Sequence, residues 1–363
     1  MQDGARTLRS LTTLRLGGPA GRLVTLRDAA EVPAVVGTGE PVLLLAGGSN
    51  VVVADAGFPG TVALLRMRGV AARTDGADVV LTVAAGHPWD DVVATAVAGG
   101  WSGIECLSGI PGSAGATPIQ NVGAYGQEVA ETITRVQVYD RVAGTVLDLP
   151  PQRCGFGYRT SVFKHSDRWV VLEVEFRLRR DARSAPLRYP ELAARLGVAP
   201  GARAELAAVR AVVLALRAGK GMVLDPADPD TYSAGSFFTN PVLDPAGFAA
   251  LRERAGAAVP PGWPQPDGSV KTSAAWLIEH AGFTRGYGHG GVAISGKHTL
   301  ALTNRGTGST AELLALAREI RDGVHRRYGV TLYPEPVLVG CALDGEPAPG
   351  TGPDRYDKVP PSG

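Results

Sequence analysis

Residues 109–126 read Gly109-Ile110-Pro111-Gly112-Ser113-Ala114-Gly115-Ala116-Thr117-Pro118-Ile119-Gln120-Asn121-Val122-Gly123-Ala124-Tyr125-Gly126. The stretch holds five glycines and two prolines and lacks sustained helical or strand periodicity. An irregular run of this length inside a compact region usually serves a function. Glycine and the small Ala and Ser side chains let backbone lie against a flat or anionic ligand, with Gln120 and Asn121 as donors. The interspersed Ile110, Ile119 and Val122 suit a buried loop wrapped around a ligand. A turn-rich surface loop is the other reading this composition allows.

Working toward the N-terminus, Ala46-Gly47-Gly48-Ser49-Asn50 follows the apolar run Val42–Leu45, which reads as a buried strand. Two glycines free backbone N–H groups to approach an anion, and Ser49 and Asn50 add side-chain donors. A plain tight turn has the same composition. Val24–Leu26 reads as a strand, Asp28 as an N-cap, and Val51–Val53 as a restarted strand. Together they predict a βαβ beginning.

Working toward the C-terminus, strand-like runs recur at Val79–Val83, Val136–Tyr139 and Trp169–Arg179. The last alternates, with Leu172, Val174, Phe176 and Leu178 on one face. Leu206, Val209, Val213 and Leu216 make a helical stripe, Ser273–His280 reads as helical, and Thr310–Arg327 reads as an amphipathic helix capped by Thr310. Trp89, Trp101 and Trp169 are expected in or beside strands, as core.

The 363 residues exceed what one core holds, so two or three domains are expected. A net charge of +1 with no basic run argues against a nucleic-acid partner. No apolar stretch is long enough to span a bilayer, and the first 25 residues show no secretory pattern, so a cytoplasmic protein is expected. Cys106, Cys154 and Cys341 read as reduced thiols. The six histidines show no metal-ligand spacing, so no metal site is expected. The 31 Arg against 5 Lys mark a chain drifted toward arginine, where each retained lysine is the more informative cation.

The pair AGGSN and GIPGSAGATPIQNVGAYGQE resembles the two FAD-wrapping segments of the vanillyl-alcohol-oxidase (PCMH) type of flavin domain. The second is especially similar to the form found in UDP-N-acetylenolpyruvoylglucosamine reductases. The segments YRTSVF (158–163), AGSFFTNP (234–241) and YPEPV (333–337) extend this resemblance over roughly residues 10–341. It implies that Gly47, Gly48, Ser49 and Asn50 hold the FAD pyrophosphate. It also implies that Gly109, Ile110, Pro111, Gly112, Ser113, Gly115, Ala116, Gln120, Asn121, Gly123, Ala124, Tyr125 and Gly126 lie along the rest of the FAD. Ala46 stands where the family commonly shows another glycine.

The implied chemistry is NADPH-dependent reduction of UDP-N-acetylglucosamine enolpyruvate, in peptidoglycan precursor synthesis. Hydride added to the enolpyruvyl C3 leaves carbanion character at C2, so the site needs a cation, donors and an acid. The resemblance gives these roles to Arg159, Ser236 and Glu335. Glu335 is followed by Pro336 where the family usually has Val. Tyr158, Lys220, Asn240 and Lys271 are implied to grip the substrate, and Tyr189 to close over it as in the family's type I loop. Taken singly, Arg159 also reads as a surface ion pair, Ser236 as a turn residue, Glu335 as a strand-edge charge and Lys220 as a helix-end charge. An FAD-linked oxidase of the same flavin fold and a catalytically dead nucleotide-sugar binder are the alternatives kept open.

The expected fold class is α+β, a PCMH-type FAD module of two subdomains plus a C-terminal α/β substrate-binding domain. The expected boundaries are 1–67 with 329–342 packing on it, 68–218, 219–328, and a disordered tail at 343–363. A monomer is expected.

Overall fold

The computed structural model describes residues 7–37 and 39–344. The chain packs as two units, named here for their place in the sequence. A central unit comprises Arg22–Ser49 and Gly60–Thr231, and a terminal unit comprises Met1–Gly21, Asn50–Pro59 and Tyr232–Gly363.

In the central unit a three-stranded sheet runs in the order Ala20–Leu26, Phe58–Leu65, Val42–Leu45. The last two strands are parallel, with Leu45 opposite Leu64. Asp28 starts the intervening helical turn: its side chain accepts from the Ala30 N–H, and Glu31 completes a reciprocal capping box. Pro33 fits the first turn of helix Val32–Val36, where its missing N–H costs nothing.

The second sheet of this unit is antiparallel, ordered Thr145–Leu149, Ile133–Asp140, Trp169–Arg180, Asp78–Ala84, Val70–Asp75, with Trp101–Ser102 paired to Trp169–Arg180. The alternation read from Trp169 onward holds, for Leu172, Val174, Phe176 and Leu178 are all buried. Phe176 packs on Trp89, ring centroids 5.4 Å apart. Trp89 is core, but it opens helix Trp89–Ala98 instead of sitting in a strand. The stripe Leu206, Val209, Val213 and Leu216 is the buried face of helix Leu206–Gly219, packed against Cys106, Leu187 and Leu192.

The terminal unit is built around helix Thr310–Tyr328, whose Leu313, Leu316, Ile320 and Val324 are buried. Its cap is Ser309, one residue before the expected Thr310. Ser309 and Glu312 form the capping box. Thr310 lies within the first turn, and its buried hydroxyl donates to the Val53 carbonyl at 2.6 Å. Asp55 accepts from the Thr310 and Ala311 N–H groups, a carboxylate where the helix dipole favours one.

Val51–Val53 is a strand, as expected, but it does not continue a βαβ sheet with Val42–Leu45. It pairs in parallel with Val337–Val339, and Phe58–Leu65 takes the place beside Val42–Leu45. Its three valines are buried, which a parallel pair covered on both faces requires. The units thus divide the chain differently from the expected boundaries: 50–59 packs with residues from 232 onward, and 60–67 with the β-rich part. Leu343 is buried in the terminal core, whereas the tail expected to be disordered lies, from residue 345, outside the described residues. No helix among the described residues is long and apolar enough to cross a membrane.

Candidate active site

Both glycine segments of the central unit lie against each other. A Cβ on Gly47 would stand 2.7 Å from the Gly112 Cα, so only glycine allows the two turns to touch as they do. Gly48 and Gly112 adopt φ of 62° and 116°, and the Ser49 hydroxyl donates to the Pro111 carbonyl at 3.1 Å. The second segment is anchored to the antiparallel sheet and to helix Trp89–Ala98. Gly115 N–H donates to the Ala85 carbonyl and Trp89 N–H to the Gly112 carbonyl, at 2.9 and 3.1 Å. Asp90 accepts from the Gly109 N–H at 2.6 Å and from both ends of the Arg210 guanidinium at 2.7 and 2.8 Å. Burial pushes the Asp90 carboxyl up, but those hydrogen bonds outweigh it and hold the group below its ordinary range.

Two polar atoms in this region are buried with no hydrogen-bond partner: Ser113 Oγ and Arg217 Nε. Arg217 lies under Gly109, where a Cβ would come within 3.4 Å of that nitrogen, and its Nη2 donates to the Met222 carbonyl at 2.9 Å. Burial holds its basicity below the ordinary arginine value, against the pull of Tyr125 and Asp90. Orphaned donors beside a glycine cradle are what a polar ligand would satisfy. Sequence reasoning misses Arg217. Arginine abundance masks it, and its helix signals only a packed stripe.

The far end of the same segment is held by Tyr158–Ser161. Ser161 Oγ donates to the Ile119 carbonyl at 2.6 Å, and Arg159 donates to the Asn121 and Gly123 carbonyls at 3.3 and 2.6 Å. Arg159 has a φ of 52°, and Lys164 Nζ donates to its carbonyl at 2.9 Å. The guanidinium is thus set against the backbone of the Gly109–Gly126 segment. Asn121, with φ 45°, spends its side chain within the protein: it donates to Glu128 and the Gly157 carbonyl and accepts from the Ala130 N–H. Its part is to shape the loop.

Two candidate substrate residues, Tyr189 and Lys220, meet at the cofactor candidate Tyr125 in the central unit. Tyr189 packs edge-on to Tyr125, centroids 5.3 Å apart, and Lys220 Nζ stands 5.9 Å from the Tyr125 centroid. Lys220 caps helix Leu206–Gly219 and pairs with Glu191 at 3.3 Å. Burial pushes the Tyr125 phenol up to about 12, so it stays a neutral donor. Tyr158 is exposed, with the Arg159 guanidinium 5.5 Å from its ring.

In the terminal unit, Phe237 and Phe238 bury their rings and so fix the backbone that bears Ser236. Phe238 bridges Pro334, and the Glu335 N–H donates to the Phe237 carbonyl at 2.8 Å. Ser236 and Glu335, distant in sequence, are therefore on paired segments. Pro336 ends that pairing because it lacks an N–H, and Val337 N–H turns to the Asn50 carbonyl at 3.0 Å. The Asn240 side chain accepts from the Ala274 N–H at 3.0 Å, at the start of helix Ala274–His280. Lys271 lies on strand Val270–Thr272, paired with Val242.

Residues 20–150 match the family model described as an FAD binding domain. Residues 226–339 match that of the UDP-N-acetylenolpyruvoylglucosamine reductase C-terminal domain. The chain is 63% identical over 350 residues to the UDP-N-acetylenolpyruvoylglucosamine reductase of Salinispora arenicola, covering 94% of this chain and 96% of that one. It is 58% identical over 347 residues to the enzyme of the same name from Streptomyces coelicolor, covering 93% and 90%. Its fold resembles the crystal structure of UDP-N-acetylenolpyruvylglucosamine reductase from Thermus caldophilus, with a TM-score of 0.62 at 24% identity, covering 92% and 97% of the two chains.

Proposed function

The chain belongs to the UDP-N-acetylenolpyruvoylglucosamine reductase family, and on that premise we propose how its own residues carry the reaction. It is an FAD-dependent oxidoreductase that reduces UDP-N-acetylglucosamine enolpyruvate with NADPH, in peptidoglycan precursor synthesis. One observation carries the cofactor assignment. The Gly47 and Gly112 turns touch backbone to backbone, the buried Ser113 hydroxyl that follows Gly112 lacks a partner, and so does Arg217 Nε under Gly109 in the same segment. That cradle fits a flat dinucleotide with a pyrophosphate. Residues Gly47–Asn50 would hold the pyrophosphate, and Gly109–Gly126 the remainder.

When bound, FAD supplies two-electron hydride transfer between the nicotinamide and the enolpyruvyl C3. The protein must then manage the electron pair left at C2 beside the substrate carboxylate. Arg159 offers a permanent planar charge for that carboxylate, pre-positioned by the Asn121 and Gly123 carbonyls. Ser236 Oγ gives its proton to C2. A serine is a weak acid, so neighbouring donors must hold the alkoxide. Glu335 orients the enolic group, supported by the backbone pairing that sets it opposite Phe237. Tyr189 closes over the substrate, while Tyr158, Lys220, Asn240 and Lys271 hold its nucleotide-sugar. We assign the flavin-holding segments to the stretch before residue 219 and a substrate-binding domain to 219–328, with Tyr158, Tyr189 and Glu335 reaching the substrate from outside it. We also infer a cytoplasmic location, since both substrates are soluble nucleotides, and take the chain to act as a monomer.

The test is an anaerobic stopped-flow record of the purified protein, mixed first with NADPH and then with UDP-N-acetylglucosamine enolpyruvate. Flavin bleaching by NADPH and recovery by the enolpyruvate are expected. Oxygen uptake with no nicotinamide requirement would overturn the reading.

A further inference from the structure

Within the terminal unit, the turn that carries Ser236 is anchored on both sides. Before it, the Tyr232 carbonyl accepts from the Asn304 N–H at 3.0 Å, and the Ser233 carbonyl accepts from the Thr13 hydroxyl at 2.6 Å. After it, the Phe237 N–H donates to the Leu300 carbonyl at 2.7 Å. Between these anchors Gly235 takes a φ of 76°, and its N–H is held by the Ser233 hydroxyl at 3.2 Å. A shift at Ser233 is therefore passed through a short, closed turn to Ser236.

Thr13 lies 220 residues before Ser233, on an arm, Thr12–Leu16, that is itself fixed several times over. Leu14 and Leu16 are buried in the same core as Ala234, Phe237 and Phe238. The Thr12 hydroxyl donates to the Leu16 carbonyl at 2.8 Å, and the Arg15 N–H donates to the Thr12 carbonyl at 3.1 Å. Buried Asn304 donates from Nδ2 to the Leu14 and Arg15 carbonyls, both at 3.1 Å, while its backbone N–H holds Tyr232. Arg15 sits at φ 52°, a conformation that a non-glycine residue keeps only where its surroundings over-determine it. Its guanidinium carbon stands 3.6 Å from the Tyr232 ring centroid. A hydroxyl bond and a stacked cation thus join the arm to the two residues that lead into the turn.

We propose that Thr13 is a positioning residue for the reaction, its hydroxyl setting the backbone that presents Ser236 Oγ to the substrate C2. The proposal rests on the reading of Ser236 as the proton donor. In that step the C2 electron pair takes the Ser236 proton and leaves an alkoxide, so the distance from Oγ to C2 controls the rate. Buried Phe237 and Phe238 locate the turn. The Thr13 hydroxyl sets the plane of the Ser233–Ala234 peptide within it.

The test uses the flavin-loaded enzyme in anaerobic stopped flow, with Thr13→Val, which removes the hydroxyl at nearly constant shape. Flavin reduction by NADPH should be unchanged, and reoxidation by the enolpyruvate should slow about tenfold. Thr13→Ser should restore the rate, and Thr13→Val added to Ser236→Ala should slow reoxidation no further than Ser236→Ala alone. Thr12→Val is the control, for it loosens the same arm without touching Ser233 and should lower Tm while leaving reoxidation at the wild-type rate. Equal slowing by the Thr12 and Thr13 changes, a Thr13→Ser variant as slow as Thr13→Val, or a further loss in the Ser236→Ala background would each overturn the proposal. If Ser236→Ala slows reoxidation and Thr13→Val stays within about twofold of wild type, Thr13 alone is misassigned. If Ser236→Ala itself leaves reoxidation unchanged, the proton-donor reading fails and this proposal falls with it.

Discussion

At the residue scale, the site combines side chains that act on substrate with others that only shape backbone. Replacing Ser236 with Ala should leave flavin reduction by NADPH nearly intact and slow reoxidation by the enolpyruvate roughly 10²–10⁴-fold, the range for a general acid. Equal loss in both half-reactions would reject the proton-donor role. Arg159→Ala should slow the second half-reaction about 10²–10³-fold, and it should also loosen the Asn121 and Gly123 carbonyls that Arg159 holds. Retained flavin with normal turnover would remove Arg159 from the chemistry. Gly47→Ala sets a methyl against the Gly112 Cα, so the purified variant should retain little flavin, and full visible absorbance would contradict the cradle. Glycine-rich composition makes these two turns legible from the amino-acid order alone. Arg217 and the Asp90–Arg210 pair are not legible in that way, because burial and partnering cannot be seen in a chain with so many arginines.

At the element scale, periodicity carries most of the information. The Leu206–Leu216 stripe and the Trp169–Arg180 alternation emerge as buried faces because each repeats its period over several turns or residues. Short elements are harder. Val51–Val53 reads identically whether it joins a neighbour in sequence or a strand almost 290 residues away, and only long-range packing decides. The expected helix start is one residue off because Ser309 and Thr310 are both good caps. Glu312 stands three residues after Ser309, and the resulting reciprocal pair settles it. Ser309→Ala should therefore destabilise the protein by about 1 kcal/mol in thermal or urea unfolding. Thr310→Val, which keeps the cap and removes the hydroxyl bond to Val53, tests a different contact. If only the Thr310 change registers, the cap assignment fails.

At the scale of the whole molecule, sequence order and packing order diverge. The central unit draws on residues up to 231, while the terminal unit gathers three separate stretches. A ligand bound by the native state alone stabilises it by mass action, so stripping the flavin should lower Tm, and adding FAD back should restore it in proportion to the logarithm of concentration. A Tm indifferent to FAD would argue against a cradle built into the fold. The Val51–Val53 and Val337–Val339 pair has a further consequence for biogenesis. As the nascent polypeptide leaves the ribosome, its valine strand must wait, apolar and with an open edge, until codons 337–339, about 290 residues on, are translated. Quality-control proteases and holdase chaperones therefore have their longest opportunity at that strand, and a premature stop just before codon 337 should yield a product that is degraded rather than a shorter enzyme.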